Sequence, residues 1–187
     1  MLVFEKAGRN NTMQTLEAAI TYALEHRIEE LVVASTFGET GVKAAELINK
    51  QGKNGLKLIV VTHNYGFKGQ PGLEMAKDTK KKLTDTGAVV YTGTMPFRNI
   101  GTAIREGLGY SQQDLIANTL RLLGQGVKVC VEIALMAYDA GLLEGKDIVA
   151  VAGTVRGADT ACLIKPVPSN KLFNLKIRRI IAKPMDW

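Results

Sequence analysis

Three short stretches of this chain combine residue types able to do chemistry. The first is Ser35-Thr36-Phe37-Gly38-Glu39-Thr40-Gly41, which follows the apolar Leu31-Val32-Val33-Ala34 and precedes a helical spacing at Val42, Ala45 and Ile48. A strand that turns through a hydroxyl- and glycine-rich loop into a helix leaves several backbone N–H groups unpaired at the helix start. Together with the helix dipole these groups favour an anion, most often a phosphate. The same pattern also describes an ordinary βα turn with Thr40 as N-cap. The second stretch, His63-Asn64-Tyr65-Gly66, follows the apolar run Leu56 to Thr62, and the third, Gly153 to Thr160, follows Asp147 to Ala152. His63 suits either a ligand contact or a hydrogen-bonded structural role. Asp159 suits either a ligand-facing wall or a turn.

Other chemistries find little material. The only histidines are His26 and His63. His26 falls on the polar side of the first expected helix, so a histidine-based triad or a zinc site is not expected. No nucleophile–base pairing, metal-ligand cluster or Walker-type phosphate loop is legible. Cys130 and Cys162 lie in apolar runs without ligand spacing and read as small buried hydrophobes in a reducing compartment, which implies a cytoplasmic location. Glu132 stands within the apolar run Val127 to Ala140. It reads as the partner of Lys128 one turn earlier, on a polar strip with Asp139; the competing reading is a buried carboxylate poised for proton transfer.

The elements that must position these groups follow from hydrophobic period. At 187 residues, 46% apolar and 22% charged, the chain is expected to form a single domain spanning residues 1–187. Leu2 to Phe4 suits an edge strand. Asn11 and Gln14 have capping-box spacing ahead of a helix with Met13, Leu16, Ile20, Ala23, Leu24 and Ile28 on one face. Gly52 to Gly55 is expected to end the second helix. Strands at Leu56 to Thr62 and Ala88 to Thr92 flank a third helix from Leu73 to Thr84, and this alternation argues for a parallel sheet with helices on both faces. Ligands in such sheets sit beyond the carboxyl ends of the strands, where the strand order reverses. Residues 93–110 read as an irregular connection, with a mobile loop over the site as the competing reading. Ser111 to Asp114 carries a second capping-box pattern, and Gly124 and Gly126 are expected to break the helix it starts. Ala161 to Lys165 reads as a strand returning antiparallel, and Leu172 to Ala182 as a last strand able to pair with the N-terminal one.

The net charge of +6 raises the question of nucleic acid. The densest cluster, Lys77, Lys80, Lys81 and Lys82, lacks interleaved aromatics and reads as a solvated basic face, so nucleic acid is not the expected partner. No apolar run reaches the length of a membrane span, and no membrane partner is expected. The excess charge would help to draw in a phosphorylated ligand.

The first and third stretches resemble turns of the C-terminal domain of pyruvate kinase. That domain carries a Thr-x-Ser-Gly-x-Thr-Ala loop after its first strand and a glycine-rich turn after its fourth. Gly38 and Thr40 match that loop, Ser35 replaces a threonine, Phe37 stands where the family has a serine, and Gly41 where it has an alanine. More closely, the chain resembles a group of stand-alone prokaryotic proteins built on that domain alone. The shared strings are VVAS-x-x-GET from Val32, VTH-x-x-GF from Val61, QG-x-KVCVEI from Gln125 through Asp139-Ala140-Gly141-Leu142, and GT-x-x-GADTA from Gly153. Thr94 to Gly109 matches the group poorly.

The resemblance implies a three-layer α/β/α sandwich. Its mixed five-stranded sheet would have the order 3-2-1-4-5 with strand 5 antiparallel, plus edge strands from the two termini. It implies a phosphorylated small molecule, with FMN the expected ligand, and is compatible with a homo-oligomer. The site would comprise the N–H groups of Gly38 through Thr40 and the hydroxyls of Ser35, Thr36 and Thr40 around the phosphate, with Glu39 pointing away or meeting a sugar hydroxyl, and His63 and Asn64 from the neighbouring strand end. Gly153, Thr154, Gly157, Asp159 and Thr160 would form the opposite wall. Two functions follow as expectations: a flavin-dependent oxidoreductase, or a regulatory module sensing a phosphorylated metabolite, since the pyruvate kinase domain is allosteric and not catalytic.

Overall fold

The computed structural model describes residues 1–52 and 55–187. Of the Gly52 to Gly55 stretch expected to end the second helix, residues 53 and 54 lie outside the described residues. The elements in order are β1 (Leu2–Lys6), α1 (Thr12–Glu25), β2 (Glu30–Ala34), α2 (Glu39–Lys50), β3 (Lys57–Val61), α3 (Lys77–Asp85), β4 (Val89–Tyr91), α4 (Asn99–Leu108), α5 (Gln112–Arg121), α6 (Gln125–Asp139), β5 (Ile148–Ala152), β6 (Thr160–Lys165) and β7 (Lys176–Asp186).

One seven-stranded sheet runs in the order β1-β7-β6-β5-β2-β3-β4. The pairings among β5, β2, β3 and β4 are parallel, β6 is antiparallel to both β5 and β7, and β1 lies parallel to β7. The α/β class expected from the sequence holds, with a difference of detail in the sheet order. The five expected strands are joined by one from each terminus, β1 and β7, but only β1 and β4 are edges: β7 is wedged between β6 and β1. Hydrogen bonds on both flanks of an 11-residue strand explain why the C-terminal segment is drawn inward.

Helices cover both faces. Successive β2 residues alternate between two cores, as the period of a strand requires. Leu31 and Val33 meet Leu16 and Ile20 of α1, Ala44 and Ile48 of α2 and Leu83 of α3. Val32 faces the other way, towards Ala117 of α5 and Val127, Cys130, Val131 and Leu135 of α6. Each large side chain buried this way stabilises the fold by about 1.5–3 kcal/mol. Cys130 and Cys162 are both free thiols buried in this second core, and burial pushes the Cys130 thiol well up.

Several local expectations are corrected. The Asn11–Gln14 capping box does not form: Asn11 Nδ2 donates to Lys6 O, 2.8 Å away, and no side chain caps α1. Gly38 takes the N-cap position of α2, displacing Thr40 into the first turn. Leu73 to Ala76 precedes α3, which begins at Lys77. The connection at 93–110 contains α4, whose glycine content hid its period. Gly126 sits inside α6, where a Cβ would stand 2.1 Å from Thr160 Oγ1; it allows helix and sheet to touch and does not end α5. The second capping pattern does operate, with Ser111 Oγ accepting from Asp114 N at 3.1 Å.

Candidate functional site

The carboxyl ends of β2, β3 and β5 open onto two adjoining hollows, of about 310 and 260 Å³. Ala34, Ser35, Thr36, His63, Arg98, Gln125 and Val129 line both. Thr36 and His63 therefore stand at the junction, where the strand order reverses between β5 and β3.

The smaller hollow is built around the loop before α2. Gly38 adopts φ +93, a left-handed conformation that favours glycine, and a Cβ there would lie 2.3 Å from Thr79 Cγ2. The resulting turn delivers the first amides of α2 to the hollow. Gly41 N–H donates to Ser35 Oγ at 3.1 Å; the N–H groups of Phe37 through Thr40 find no protein acceptor among the described residues. Ser35 is thus buried and committed to the loop's own geometry, while Thr36 and Thr40 line the hollow. Glu39 also reaches the rim, but its carboxylate is paired with Arg9 Nη2 at 2.9 Å, which offsets its charge beside the amides.

The opposite wall is the turn after β5. Gly153 and Gly157 line the hollow. Val155 carries φ 61, a strained setting for a β-branched residue, and is 97% exposed on the rim. Asp159 does not face the hollow. It is fully buried and accepts hydrogen bonds from Gly8 N and Thr154 N, each 3.0 Å, and from Thr160 Oγ1 at 2.8 Å. Asp159 and Thr160 therefore brace the turn. Thr154 Oγ1 is buried without a hydrogen-bond partner among the described residues, and Thr154 does not line either hollow. Nor does Asn64: it donates to Tyr65 O at 2.8 Å and accepts from Asn99 Nδ2 at 2.9 Å, tying the β3 end to α4.

The larger hollow is ringed by Arg98, Arg105, Arg121 and Lys128, with Asp114 and Glu132 as the carboxylates. Glu132 is the ion-pair partner of Lys128, one turn earlier on α6, and both are almost fully buried. Its other oxygen accepts Phe97 N–H at 2.9 Å, so the pair also pins the loop before α4. Burial lowers the Lys128 ammonium from its ordinary value and the Glu132 carboxylate pulls it back up. Asp139 is not on that strip; it accepts from Ser169 N at 2.9 Å. The site residues absent from the sequence reading are chiefly cations. Arg156 lies within the third stretch and stacks 4.9 Å over the Phe37 ring. Arg98 comes from the poorly matching segment and stacks 4.6 Å over Phe67.

No family model matches the chain. Among solved structures it is similar to a pyruvate kinase from Cryptosporidium parvum, at 15% identity over 76% of this chain and 20% of that one, with a TM-score of 0.37. It is similar also to Cryptosporidium parvum pyruvate kinase in complex with ADP, at 16% identity over 83% of this chain and 23% of that one, TM-score 0.37. The chain spans about a fifth of the length of these enzymes, and the chemistry of the site rests on its own residues. No helix among the described residues is long and apolar enough to cross a membrane.

Proposed function

We propose that this protein binds a phosphorylated small molecule at the carboxyl edge of its sheet, with the phosphate at the start of α2. The observation that carries this reading is a run of helix-start amides without protein acceptors, opening onto a hollow that Arg98 and Arg156 also line. Amides at a helix N-terminus and guanidinium groups are complementary to a phosphate dianion. Across the two hollows, five cationic side chains face three carboxylates, a balance that suits an anionic ligand.

FMN is the specific ligand proposed. The residues fit its two halves: amides of Gly38 through Thr40 for the phosphate, and the apolar side of the larger hollow, with Val61, Met95, Phe97, Val129, Ile133 and Met136, for a flat ring. When bound, a flavin supplies electron and hydride transfer; the chain's own part is to hold the phosphate and shield the ring. The test is titration of the purified protein with FMN and, separately, with inorganic phosphate. Saturable FMN binding that inorganic phosphate displaces is the expected result. Phosphate binding without FMN binding keeps the site and removes the flavin, and failure of both removes the reading.

A further inference from the structure

His63 is held from both sides. Its Nδ1 lies 2.7 Å from Glu74 Oε2 and its Nε2 lies 3.2 Å from Thr36 Oγ1. The ring stacks on Phe67 with centroids 3.9 Å apart, which fixes its plane. A carboxylate only accepts, so in the neutral imidazole the proton sits on Nδ1 and the Nε2 lone pair is turned towards the Thr36 hydroxyl. Glu74 is largely buried, and Lys68 Nζ stands 3.4 Å from its other oxygen. Carboxylate, imidazole and hydroxyl thus form a relay with the connectivity of a base-activated nucleophile. The relay ends at the junction of the two hollows, just ahead of the free amides of α2.

Resting on the reading that a phosphoryl group occupies the start of α2, we infer that Thr36 accepts that group from an activated donor of the acyl phosphate class, with His63 as general base. In the first step the Thr36 Oγ1–P bond forms as the P–O bond to the acyl group breaks. The hydroxyl proton passes to His63 Nε2, and the bonding pair of the broken bond leaves with the carboxylate. His63 holds that proton. In the second step water attacks the phosphorus in line with the Thr36 Oγ1–P bond; the pair of that bond goes to Oγ1, which takes the proton back from His63 Nε2, and the attacking water gives up its own proton to solvent. Thr36 is restored and inorganic phosphate released.

The choice of donor follows from geometry. His63 stands on the nucleophile's side, so a leaving group that departs as a stable anion suits the site, and an alkoxide does not. A phosphate monoester such as FMN is accordingly held and not cleaved. The α2 amides with Arg98 and Arg156 would carry the charge on the phosphoryl oxygens. Glu74 is a positioning residue: it fixes the tautomer and plane of His63.

The test uses the full chain and acetyl phosphate. Peptide mapping by mass spectrometry reads phosphorylation of Thr36, a phosphate assay reads release, and a separate titration reads affinity for inorganic phosphate. Wild type is expected to show a phosphoryl group on Thr36 or steady phosphate release. Thr36→Val abolishes both and Thr36→Ser retains them. His63→Gln keeps a hydrogen-bonding group beside Thr36 but cannot take its proton, so transfer falls about 100-fold or more while phosphate affinity is retained. Glu74→Gln lowers transfer without loss of phosphate affinity, and thermal melts establish that each variant is folded. Wild type that binds phosphate but shows neither modification nor release overturns the inference and leaves the binding site standing; so does release that persists in Thr36→Val. Modification of Thr36 without measurable phosphate affinity sinks the binding reading and keeps the transfer.

Discussion

At the amino end of the sheet, Leu24, Arg27, Ile28, Glu29, Glu30, Lys57 and Glu144 surround an open groove of about 640 Å³, larger than either hollow at the carboxyl end. Size would select it as the site. Its carboxylates, however, are already answered by lysines. Lys146 pairs with Glu29 at 2.8 Å and with Glu144 at 3.1 Å, and Lys57 stands 3.7 Å from Glu30. No helix start points into it, because helices that follow parallel strands begin at the opposite end. The carboxyl end gathers α2 amides that find no protein acceptor among the described residues, with Arg98 and Arg156 stacked on Phe67 and Phe37 and given no carboxylate partner among those residues, although Arg105 is answered by Asp114 at 3.4 Å. Convergent groups left unanswered favour the proposed site at this end more than volume favours the groove.

Each end also holds a buried ionised group, and the two differ in how fully they are answered. At the carboxyl end Lys128 and Glu132 answer each other almost completely out of solvent. Replacing Lys128 with Met strands Glu132 with only the Phe97 amide, and an unfolding free energy lower by about 3–5 kcal/mol is expected in denaturant titration. The double variant Lys128→Met, Glu132→Gln removes the charge as well and should recover a large part of that loss. A Lys128→Met protein as stable as wild type would show that the pair is not the brace of the larger hollow.

The architecture was far more legible in the sequence than this chamber. Apolar runs such as Leu31 to Ala34 and Ile148 to Ala152 announce doubly covered strands because their neighbours on both faces are hydrophobic, whatever those neighbours are. The turn into α2 was legible for a related reason: Ser, Gly and Thr within seven consecutive residues announce a strand that turns into a helix, and α2 does begin at Glu39. The relay was not. Thr36 lies on the β2–α2 connection, His63 and Glu74 lie eleven residues apart on the β3–α3 connection, and only the pairing of β2 with β3 brings Thr36 to His63. Arg98, Arg105 and Arg121 arrive on the loop ahead of α4, on α4 and on α5 respectively. Gly101, Gly107 and Gly109 hid the helical character of that region, since the close contact of Gly101 with Gln113 demands a residue that propensity penalises. Asn64 and Asp159 misled in the opposite sense. Both are polar residues at a strand end, and both are consumed by the loops they belong to.

An arginine exchange at each end tests whether the contrast is functional. Arg156 is exposed and lines the smaller hollow. Arg156→Gln should weaken inorganic phosphate binding by roughly fivefold at low salt, with the difference shrinking as salt rises, and leave stability within about 0.5 kcal/mol. Arg27 lines the amino-end groove, and Arg27→Gln should leave phosphate affinity unchanged. Equal losses in the two variants would mean that phosphate is attracted by net charge alone, and the distinction between the two ends would collapse.

The smallest effect expected concerns the amino end alone. Glu30 is buried at the start of β2, and burial raises its carboxyl above the ordinary 4.5; the Glu144 N–H and the Lys57 ammonium only partly oppose this. A carboxyl raised on folding binds protons more readily in the native state than in the unfolded chain. Stability is then highest in acid and falls as pH climbs from 4.5 through the folded value, above which the cost of the buried charge is complete. Glu30→Gln keeps an acceptor for the Glu144 amide, which lies 3.3 Å from Oε1, and gives up a partly exposed ion pair of little worth. The variant should therefore be slightly more stable than wild type at pH 7, and the advantage should vanish at pH 4. Lys128→Met changes sign in neither range, because there a charge loses its partner; in Glu30→Gln a charge that was never fully answered is removed. An equal loss of stability at both pH values would show that Glu30 is well satisfied where it lies, and that the two ends of the sheet treat their buried charges alike.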